Sequence, residues 1–275
     1  MSDGPVIGVA GCGAMGLPMA RQLHEAGHEV WGLDVRPVDE FGDFSPRMIV
    51  NAREFAAKAN IVISVVRDCH QSMDLLFDDQ AIMSGINPPK TVIICSTLSP
   101  RVLPKIVERL PAETTFVDAP MSGAPARAED GTLTFMVGGD NDVVAALMGL
   151  FKIMGDKVHH LGATGTGMTC KVINNFVAVT GVATVRKALS AADTLGLERE
   201  RLLDVMRTSS GSTWYGDNLD RISWSREGYD PTNTIGILEK DMLSFLDAVA
   251  GCEEVAVDEL ASSVLDALRT MEPLE

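Results

Sequence analysis

Positive charge is scarce in this sequence. The 275 residues include 23 lysines and arginines against 38 aspartates and glutamates, which gives a formal net charge of −15. A surface this acidic repels the phosphate backbone of nucleic acids and the headgroups of anionic lipids. We therefore expect neither nucleic acid nor a membrane surface as a partner, and a small anion would need a site built from specific residues.

Cysteine pairs and long apolar runs are lacking too. The five cysteines are odd in number and widely scattered, with no C-x-x-C spacing, which favours reduced thiols and argues against a bound metal. No apolar stretch approaches the roughly 18 residues of a membrane span. The first motif begins at Gly11, which leaves no room for a targeting peptide. We expect a soluble, cytoplasmic protein.

The order of apolar segments predicts two domains. Apolar residues make up 46% of the chain, and the length suits two domains of about 150 residues each. Up to about residue 160, short apolar runs alternate with helical patterns, as in parallel strands joined by crossover helices. Beyond Gly162 only helical patterns follow. We predict an α/β, Rossmann-type, doubly wound parallel sheet over residues 1–163, then an all-α domain over residues 164–275, joined by a long interdomain helix.

Individual elements follow from the same pattern. Glycines at 162, 165 and 167 supply flexible backbone where the helical part begins. Strands are predicted at residues 6–10, 30–34, 48–50, 61–66, 92–95, 116–117, 133–137 and 158–161. Helices are predicted at residues 14–26, 53–59, 70–77, 100–109, 141–153, 166–195, 199–208, 236–249 and 253–270.

The stretch "VIGVAGCGAMGLPMARQLHEAGHEVWGLD" has the order strand, glycine-rich turn, helix and strand, and it ends in an acid. Gly11 allows a tight turn, Gly13 lets the backbone approach a pyrophosphate, and Gly16 lets helix and strand pack closely. Asp34 is placed to accept hydrogen bonds from a ribose diol. The glycines alone could form a structural turn, but the helix and the distal acid favour a dinucleotide site.

The acid also bears on which dinucleotide binds. A carboxylate repels a 2′-phosphate, so Asp34 favours NAD as the cofactor. Arg36, two residues further on, could instead reach such a phosphate. NADP therefore stays possible.

A second candidate site lies in "GTGMTCKVINNF", residues 165–176. Because a helix turns by about 100° per residue, Lys171, Asn174 and Asn175 share one face of an otherwise apolar helix. When a hydroxyl is oxidised its proton must leave with the hydride, and an amine beside an apolar wall can exchange that proton near neutrality. A solvated helix lysine is the alternative, and the two amides at matching spacing favour catalysis.

Further motifs follow in a fixed order. They are "STLSP" at 96–100, "DAPMSGAPARAEDGTLTFMVGG" at 118–139 and "EKDM" at 239–242. With the glycine turn and the lysine helix, they make most of the chain resemble the 3-hydroxyisobutyrate dehydrogenase family of β-hydroxyacid dehydrogenases, with a 6-phosphogluconate dehydrogenase-like NAD-binding domain. The resemblance implies hydride transfer between a nicotinamide cofactor and a small 3-hydroxyacid, or reduction of the matching semialdehyde. It also implies a homo-oligomer, a dimer or a tetramer.

The resemblance also implies roles for particular residues. Lys171 is the catalytic general acid and base. The substrate-binding residues are Ser122, Gly123, Asn174, Asn175 and Lys240. The cofactor-binding residues are Gly11, Cys12, Gly13, Ala14, Met15, Gly16, Asp34, Val65, Val66, Thr97 and Lys240. The chain departs from the family where Ala124 replaces the second glycine of the usual pair and where Val66 and Arg67 replace Leu-Pro.

Other interpretations are open at this stage. Reduction of an imine or a bulky carbonyl is one, although groups with that activity usually replace the helix lysine. A non-catalytic NAD(P)-binding module is another, although such a module has no need of a costly polar notch in an apolar helix. Ser122 and Gly123 could form an ordinary turn, and Lys240 with Asp241 could form an exposed ion pair of little energetic value.

Overall fold

The computed structural model describes residues 4–274 of the chain, which separate into two compact units. The first unit ends at Lys171 and contains a sheet with helices, and the second begins at Val172 and is helical. The predicted fold class, a Rossmann-type sheet followed by an all-α part with a long helix between them, is confirmed. The contacts divide the chain after Lys171, whereas the sequence placed the domain boundary after residue 163.

The described strands form one sheet in the order β2-β1-β3-β4-β5-β7-β6, with β8 beside β7. They are β1 Ile7–Ala10, β2 Val30–Leu33, β3 Ile61–Ser64, β4 Thr91–Ile94, β5 Thr115–Asp118, β6 Met121–Ser122, β7 Thr134–Gly138 and β8 Lys157–Gly162. β1 to β5 run parallel. The strand order reverses at β1, so the carboxyl ends of β1 and β3 lie at the point where open α/β sheets bind ligands.

The helices alternate with these strands and then continue alone. They are α1 Gly16–Glu25, α2 Ala52–Lys58, α3 Cys69–Leu76, α4 Leu103–Arg109, α5 Ala124–Glu129, α6 Asn141–Met154, α7 Thr166–Leu195, α8 Arg199–Arg207, α9 Trp214–Asp217, α10 Thr234–Val249 and α11 Asp258–Arg269. Short 3-10 segments cover Val38–Arg47 and Pro100–Val102. Residues 253–257, predicted to be helical, precede the start of α11.

Side chains of the parallel strands alternate between two cores, one on each face of the sheet. Ile7 and Val9 pack in one cluster, and Ala10 packs in the other. Ile63 and its neighbour Val62 divide in the same way. Because both faces are covered, these strands appear in the sequence as continuous apolar runs rather than as an alternation.

The far edge of the sheet differs from the parallel arrangement that we predicted. β7 runs antiparallel to β5, where Asp118 pairs with Gly138, and antiparallel to β6. Residues 123–133 connect β6 to β7, and α5 occupies six of them. A parallel crossover needs a dozen or more residues, so the chain returns beside the strand that it has just left. β8 then pairs parallel with β7 after the longer α6.

The strand predicted at residues 48–50 is wrong. Met48 makes only an isolated bridge to Gly32, and Val50 is 75% exposed. Asn51 follows at once and caps α2 by accepting two backbone N–H groups, so the chain enters a helix before a strand can extend. The short elements β6, α5 and α9 were not predicted, because segments of six residues or fewer carry too little periodicity.

The second unit has a core of its own, formed by buried side chains of α7, α8, α10 and α11. Arg186 of α7 is buried there and donates to the carbonyl oxygens of Ser225 at 2.8 Å, Glu227 at 3.0 Å and Glu272. This one guanidinium therefore joins α7, the loop before α10 and the segment after α11. It donates to three carbonyl groups of irregular segments, and the Tyr215 hydroxyl also donates to the Ser225 carbonyl oxygen, at 2.6 Å.

Within residues 4–274, α7 alone is long and apolar enough to cross a membrane by length and composition. This corrects the expectation that no such stretch exists. The mild hydropathy comes from valine, alanine, glycine and threonine, and the buried side chains Val179, Val182 and Leu189 belong to the core of the second unit. A core helix passes the same test, so the finding is weak evidence for a span.

Candidate active site

The turn between β1 and α1 packs so tightly that two of its glycines have no room for a side chain. Gly11 has φ +89°, and a Cβ there would lie 2.8 Å from the backbone of Val65. A Cβ on Gly16 would lie 2.0 Å from the carbonyl oxygen of Gly11. Conformation and close packing therefore require glycine at Gly11, and close packing requires it at Gly16. The turn lies directly against the loop that follows β3.

Gly13 differs from its two neighbours. It lies in exposed backbone, and a Cβ there would meet no atom within 4 Å, so the packing of the chain itself does not require glycine. α1 begins just beyond, without a side-chain cap and without an acidic residue in its first turn. Its N–H groups and helix dipole favour an anion. This open, uncapped turn fits the pyrophosphate of a dinucleotide.

Asp34 follows β2, and its carboxylate is held by Arg36. The Arg36 backbone N–H and Nε donate to Asp34 Oδ1 at 3.1 and 3.2 Å, and its guanidinium also reaches the carbonyl oxygen of Cys12 at 2.7 Å. The same guanidinium lies 4.7 Å from the centre of the Phe41 ring. Asp34 and Arg36 thus meet beside the glycine turn, where a ribose would be recognised.

The other predicted cofactor residues of the turn contribute in different ways. The Cys12 thiol points into the core and donates to the Val9 carbonyl oxygen at 3.4 Å, and burial raises its pKa to about 12. Cys12 can therefore offer a ligand only its backbone. Ala14 is exposed and Met15 is half-buried, so both remain accessible beside Gly13.

The loops after β3 and β4 lie at the same edge of the sheet. Val65 and Val66 follow β3, and their backbone atoms are the ones that a side chain at Gly11 would strike. Thr97 follows β4, the neighbouring parallel strand. The structure therefore brings the glycine turn and residues 65–66 together directly and places Thr97 one strand further along.

Ser122 and Gly123 form a turn with unusual backbone conformation. Ser122 ends β6 in register with Thr134 of β7, and Gly123 has φ +149°. A Cβ on Gly123 would lie 2.8 Å from the Cβ of Arg127. The next residue, Ala124, also has a positive φ, +58°, which a non-glycine residue adopts only under strain.

Asp118 is a functional candidate that the sequence analysis missed. It ends β5, is fully buried, and accepts the backbone N–H groups of Gly165 at 2.6 Å and Met168 at 2.7 Å. Burial raises the pKa of its carboxyl to about 6, and the N–H donors lower it. The sequence signal for Asp118 was an acid at the end of a buried strand. A carboxylate buried there destabilises the fold unless a specific partner binds it.

The polar notch of α7 contains the predicted lysine in buried form. Lys171 is 7% exposed, as is Asn175, while Ile173 on another side of the helix is 51% exposed. Asn174 donates through Nδ2 to Asn175 Oδ1 at 3.3 Å. The solvated-lysine interpretation is therefore wrong, because a solvated lysine would have its amine and most of its side chain in water.

In the second unit a buried carboxylate joins two of the predicted substrate residues. Asn175 donates through Nδ2 to Asp241 Oδ2 at 2.6 Å, and Lys240 Nζ lies 2.7 Å from Asp241 Oδ1. Asp241 has a side chain that is 9% exposed, and that of Lys240 is 23% exposed, so the exposed-ion-pair interpretation is also wrong. The signal for Asp241 was an acid on the apolar face of α10 that holds Ile235, Met242 and Phe245.

Comparison with known protein families assigns both units. Residues 6–162 match the NAD-binding domain of 6-phosphogluconate dehydrogenase, and residues 165–270 match the NAD-binding domain of NADP-dependent 3-hydroxyisobutyrate dehydrogenase. Together with the glycine turn, these matches define the class of protein as an oxidoreductase that uses NAD or NADP.

Individual relatives narrow the class. The chain is 32% identical over 232 residues to mitochondrial 3-hydroxyisobutyrate dehydrogenase from Homo sapiens, which covers 82% of this chain and 68% of that protein. It is 35% identical over 211 residues to NAD-dependent L-serine dehydrogenase from Pseudomonas aeruginosa, covering 76% and 71%. A solved 3-hydroxyisobutyrate dehydrogenase from Mycobacterium tuberculosis, with L-serine, superposes with a TM-score of 0.76 at 26% identity over 98% of this chain and 96% of that one.

The chain belongs to the 3-hydroxyisobutyrate dehydrogenase family. Its activity is accordingly that of an NAD(P)-dependent hydroxyacid oxidoreductase, as the sequence predicted.

Proposed function

We propose that this protein oxidises a short 3-hydroxyacid, or reduces the matching semialdehyde, with Lys171 as the group that moves the hydroxyl proton. The observation that carries the proposal is the buried Lys171 on the same helix face as Asn174 and Asn175. The named relatives support the substrate class, since both 3-hydroxyisobutyrate and serine carry a hydroxyl on the carbon two positions from the carboxylate.

In this proposal the glycine turn holds the cofactor. The backbone at Gly11, Gly13 and Gly16 receives the pyrophosphate, and Asp34 receives the adenosine ribose. Bound there, the nicotinamide supplies or accepts the hydride. NAD is the preferred cofactor, because the Asp34 carboxylate occupies the ribose end of the turn and Arg36, which would receive a 2′-phosphate, is already paired with it.

Lys171 acts on the proton rather than on the hydride. In oxidation its neutral amine accepts the hydroxyl proton, and in reduction its ammonium stabilises the developing alkoxide and then protonates it. The amides of Asn174 and Asn175 orient the substrate, so that less of the barrier is spent on alignment. Such general acid and base catalysis contributes about 10²- to 10⁴-fold to the rate.

The substrate carboxylate needs donors of its own. We assign it to the Ser122 hydroxyl and the backbone at Gly123. Lys240 is a separate substrate-binding candidate of the second unit, where Asp241 accepts from Asn175 and pairs with Lys240, and so limits the rotamers of both side chains. Limiting rotamers before binding lowers the entropy lost when the substrate arrives.

The proposal also covers the cellular location and the subunit number of the enzyme. We expect a cytoplasmic homo-oligomer, a dimer or a tetramer, which the exposed apolar side chains Ile173 and Val177 on α7 support. Sedimentation at several protein concentrations measures the subunit number, and a strictly monomeric protein would contradict this part.

The test of the proposal is the Lys171→Ala variant in a kinetic panel. Hydroxyacids that vary in chain length and branching, each with NAD and with NADP, give kcat and KM from nicotinamide absorbance. We expect Lys171→Ala to lower kcat at least about 10²-fold and to leave NADH binding within a few-fold. Lys187→Ala, an exposed lysine on the same helix, is the matched control and should retain full activity.

Two outcomes would contradict the proposal. A Lys171→Ala enzyme with most of its kcat would remove the lysine from the mechanism. A wild-type protein that binds NADH but turns over no hydroxyacid or semialdehyde would favour a non-catalytic module, and turnover of imines instead would favour an imine reductase.

A further inference from the structure

One buried carboxylate lies outside the residues to which the proposed reaction assigns a role. Asp118 joins the carboxyl end of β5 to the beginning of α7 through the backbone N–H groups of Gly165 and Met168. Each bond is short for its type, at 2.6 and 2.7 Å, as expected when the acceptor is charged. The Asp118 side chain therefore attaches the first turn of α7 to the end of β5.

The backbone around this contact is packed too closely for an added side chain. A Cβ on Gly138 of β7 would lie 2.6 Å from Asp118 Oδ1, and a Cβ on Gly167 of α7 would lie 2.4 Å from the carbonyl oxygen of Met136. The backbone of α7 thus lies directly on β5 and β7. This explains why the contacts assign the start of α7, up to Lys171, to the first unit.

We propose that Asp118 is a positioning residue, whose carboxylate fixes the first turn of α7 and thereby the place and direction of the Lys171 amine one turn further along. The inference rests on the proposed function, because it takes Lys171 as the proton-transfer group. Displacements of about 1 Å at a catalytic group can cost about 10²-fold in rate. A loosened first turn would allow displacements of that size.

The charge state of Asp118 separates this role from a merely structural one. Burial raises its pKa to about 6, and the backbone N–H groups lower it; no charged side chain contributes. Titratable groups on the surrounding elements include Cys95 after β4, Lys157, His159 and His160 on β8, and Cys170 and Lys171 on α7. Protonation makes one carboxyl oxygen a much weaker acceptor and removes the charge that strengthens both hydrogen bonds, so the anchor should weaken as the pH falls through about 6.

Lowering the pH has opposite effects on the hydrogen bonds of Asp118 and on the stability of the folded protein: it weakens the bonds but relieves the cost of burying the charge. Because the pKa of Asp118 in the folded protein lies above its ordinary value, the folded state holds the proton more tightly than the unfolded state does. Its contribution to stability therefore decreases as the pH rises from about 4 to about 6. At neutral pH the charge costs stability, so Asp118→Asn should change the melting temperature little while it weakens the anchor.

The first experiment compares Asp118→Asn with Asp140→Asn. Asp140 caps α6 through the N–H groups of Asp142 and Val143, so it has the same chemistry on a helix without a proposed site residue. We expect Asp118→Asn to lower kcat at least about 10-fold, with NADH binding within about 3-fold, and to remove any low-pH limb near pH 6 from the kcat profile. Asp140→Asn should keep kcat and the pH profile of the wild type.

The second experiment does not depend on activity or on a variant that folds. Hydrogen exchange of the Gly165, Gly167 and Met168 amides in the wild type, corrected for intrinsic rates, should lose protection several-fold between pH 7.5 and pH 5. Protection that does not change, or an Asp118→Asn enzyme with wild-type kcat, would overturn the positioning role. If Lys171→Ala retained turnover while the amides behaved as expected, the proposed function would fail and the anchor at β5 would stand.

Discussion

The nucleotide turn of the first unit and the polar contacts of the second unit are held by opposite means. In the turn the essential feature is the absence of side chains, since Gly11 and Gly16 let the turn, the helix and the neighbouring loop come into close contact. In the second unit buried polar side chains make the contacts: Asp241 holds Asn175, and Arg186 joins irregular segments. The difference teaches that a nucleotide turn can be recognised from adjacent residues, whereas a side-chain network cannot.

The two kinds of contact differ in predictability because their partners lie at different distances along the sequence. The glycines and Val65 meet because β1 and β3 are neighbours in a sheet whose strand order the helical pattern predicts. By contrast, Asn175 and Asp241 are separated by 66 positions, and Arg186 and Glu272 by 86. No local motif indicates those partners.

The largest expected effect is that of Gly16→Ala. The new Cβ would lie 2.0 Å from the Gly11 carbonyl oxygen, and this backbone atom cannot move aside as the end of a flexible side chain could. We expect a loss of about 3 kcal/mol in the free energy of unfolding, measured by urea denaturation. Gly13→Ala is the control, since its Cβ meets nothing: stability should stay within about 1 kcal/mol, while NADH affinity falls. Equal losses of stability in both variants would contradict the division of roles.

A comparable effect in the second unit should follow from Arg186→Met. The substitution keeps much of the volume but leaves the carbonyl oxygens of Glu227 and Glu272 without this donor. The Ser225 carbonyl oxygen keeps only the Tyr215 hydroxyl. We expect a loss of about 2 to 3 kcal/mol in the same denaturation measurement. Arg201→Met is the matched control, because that arginine is 74% exposed in a surface ion pair and should cost less than about 1 kcal/mol. If both variants lost less than about 1 kcal/mol of unfolding free energy, the Arg186 guanidinium would not be needed for stability.

The smallest effect concerns Ala124, which stands where the family usually has a second glycine. Its φ of +58° costs about 1 to 2 kcal/mol, and glycine would remove that strain while adding about 0.4 to 1 kcal/mol of unfolded-state entropy. Ala124→Gly should therefore stabilise the protein by up to about 1 kcal/mol. Ala126→Gly, on the exposed side of the same helix, should instead destabilise it by about 0.5 to 1 kcal/mol. Thermal unfolding of the two variants shows whether each substitution raises or lowers the melting temperature. A lower melting temperature in both would show that position 124 is unstrained.

Much of the fold was predictable, and so were the lysine and its amides as candidates. The long helix α7 begins and ends where the sequence predicts, because an apolar run without proline leaves few alternatives. The antiparallel return of β7 and the wrong strand at 48–50 show the limit. Both depend on where the chain has room to turn, and strand periodicity does not report that.

The sequence by itself determined the order of sheet and helices, the glycine turn with its distal acid, and the polar face of α7, because each depends on residues that are neighbours along the chain. Tertiary structure alone decided that Lys171 is buried, that Asp118 anchors the helix bearing it, and that Asp241 joins Asn175 to Lys240. Burial and hydrogen bonding between distant residues exist only after the chain has folded, because water satisfies the same polar groups equally well before.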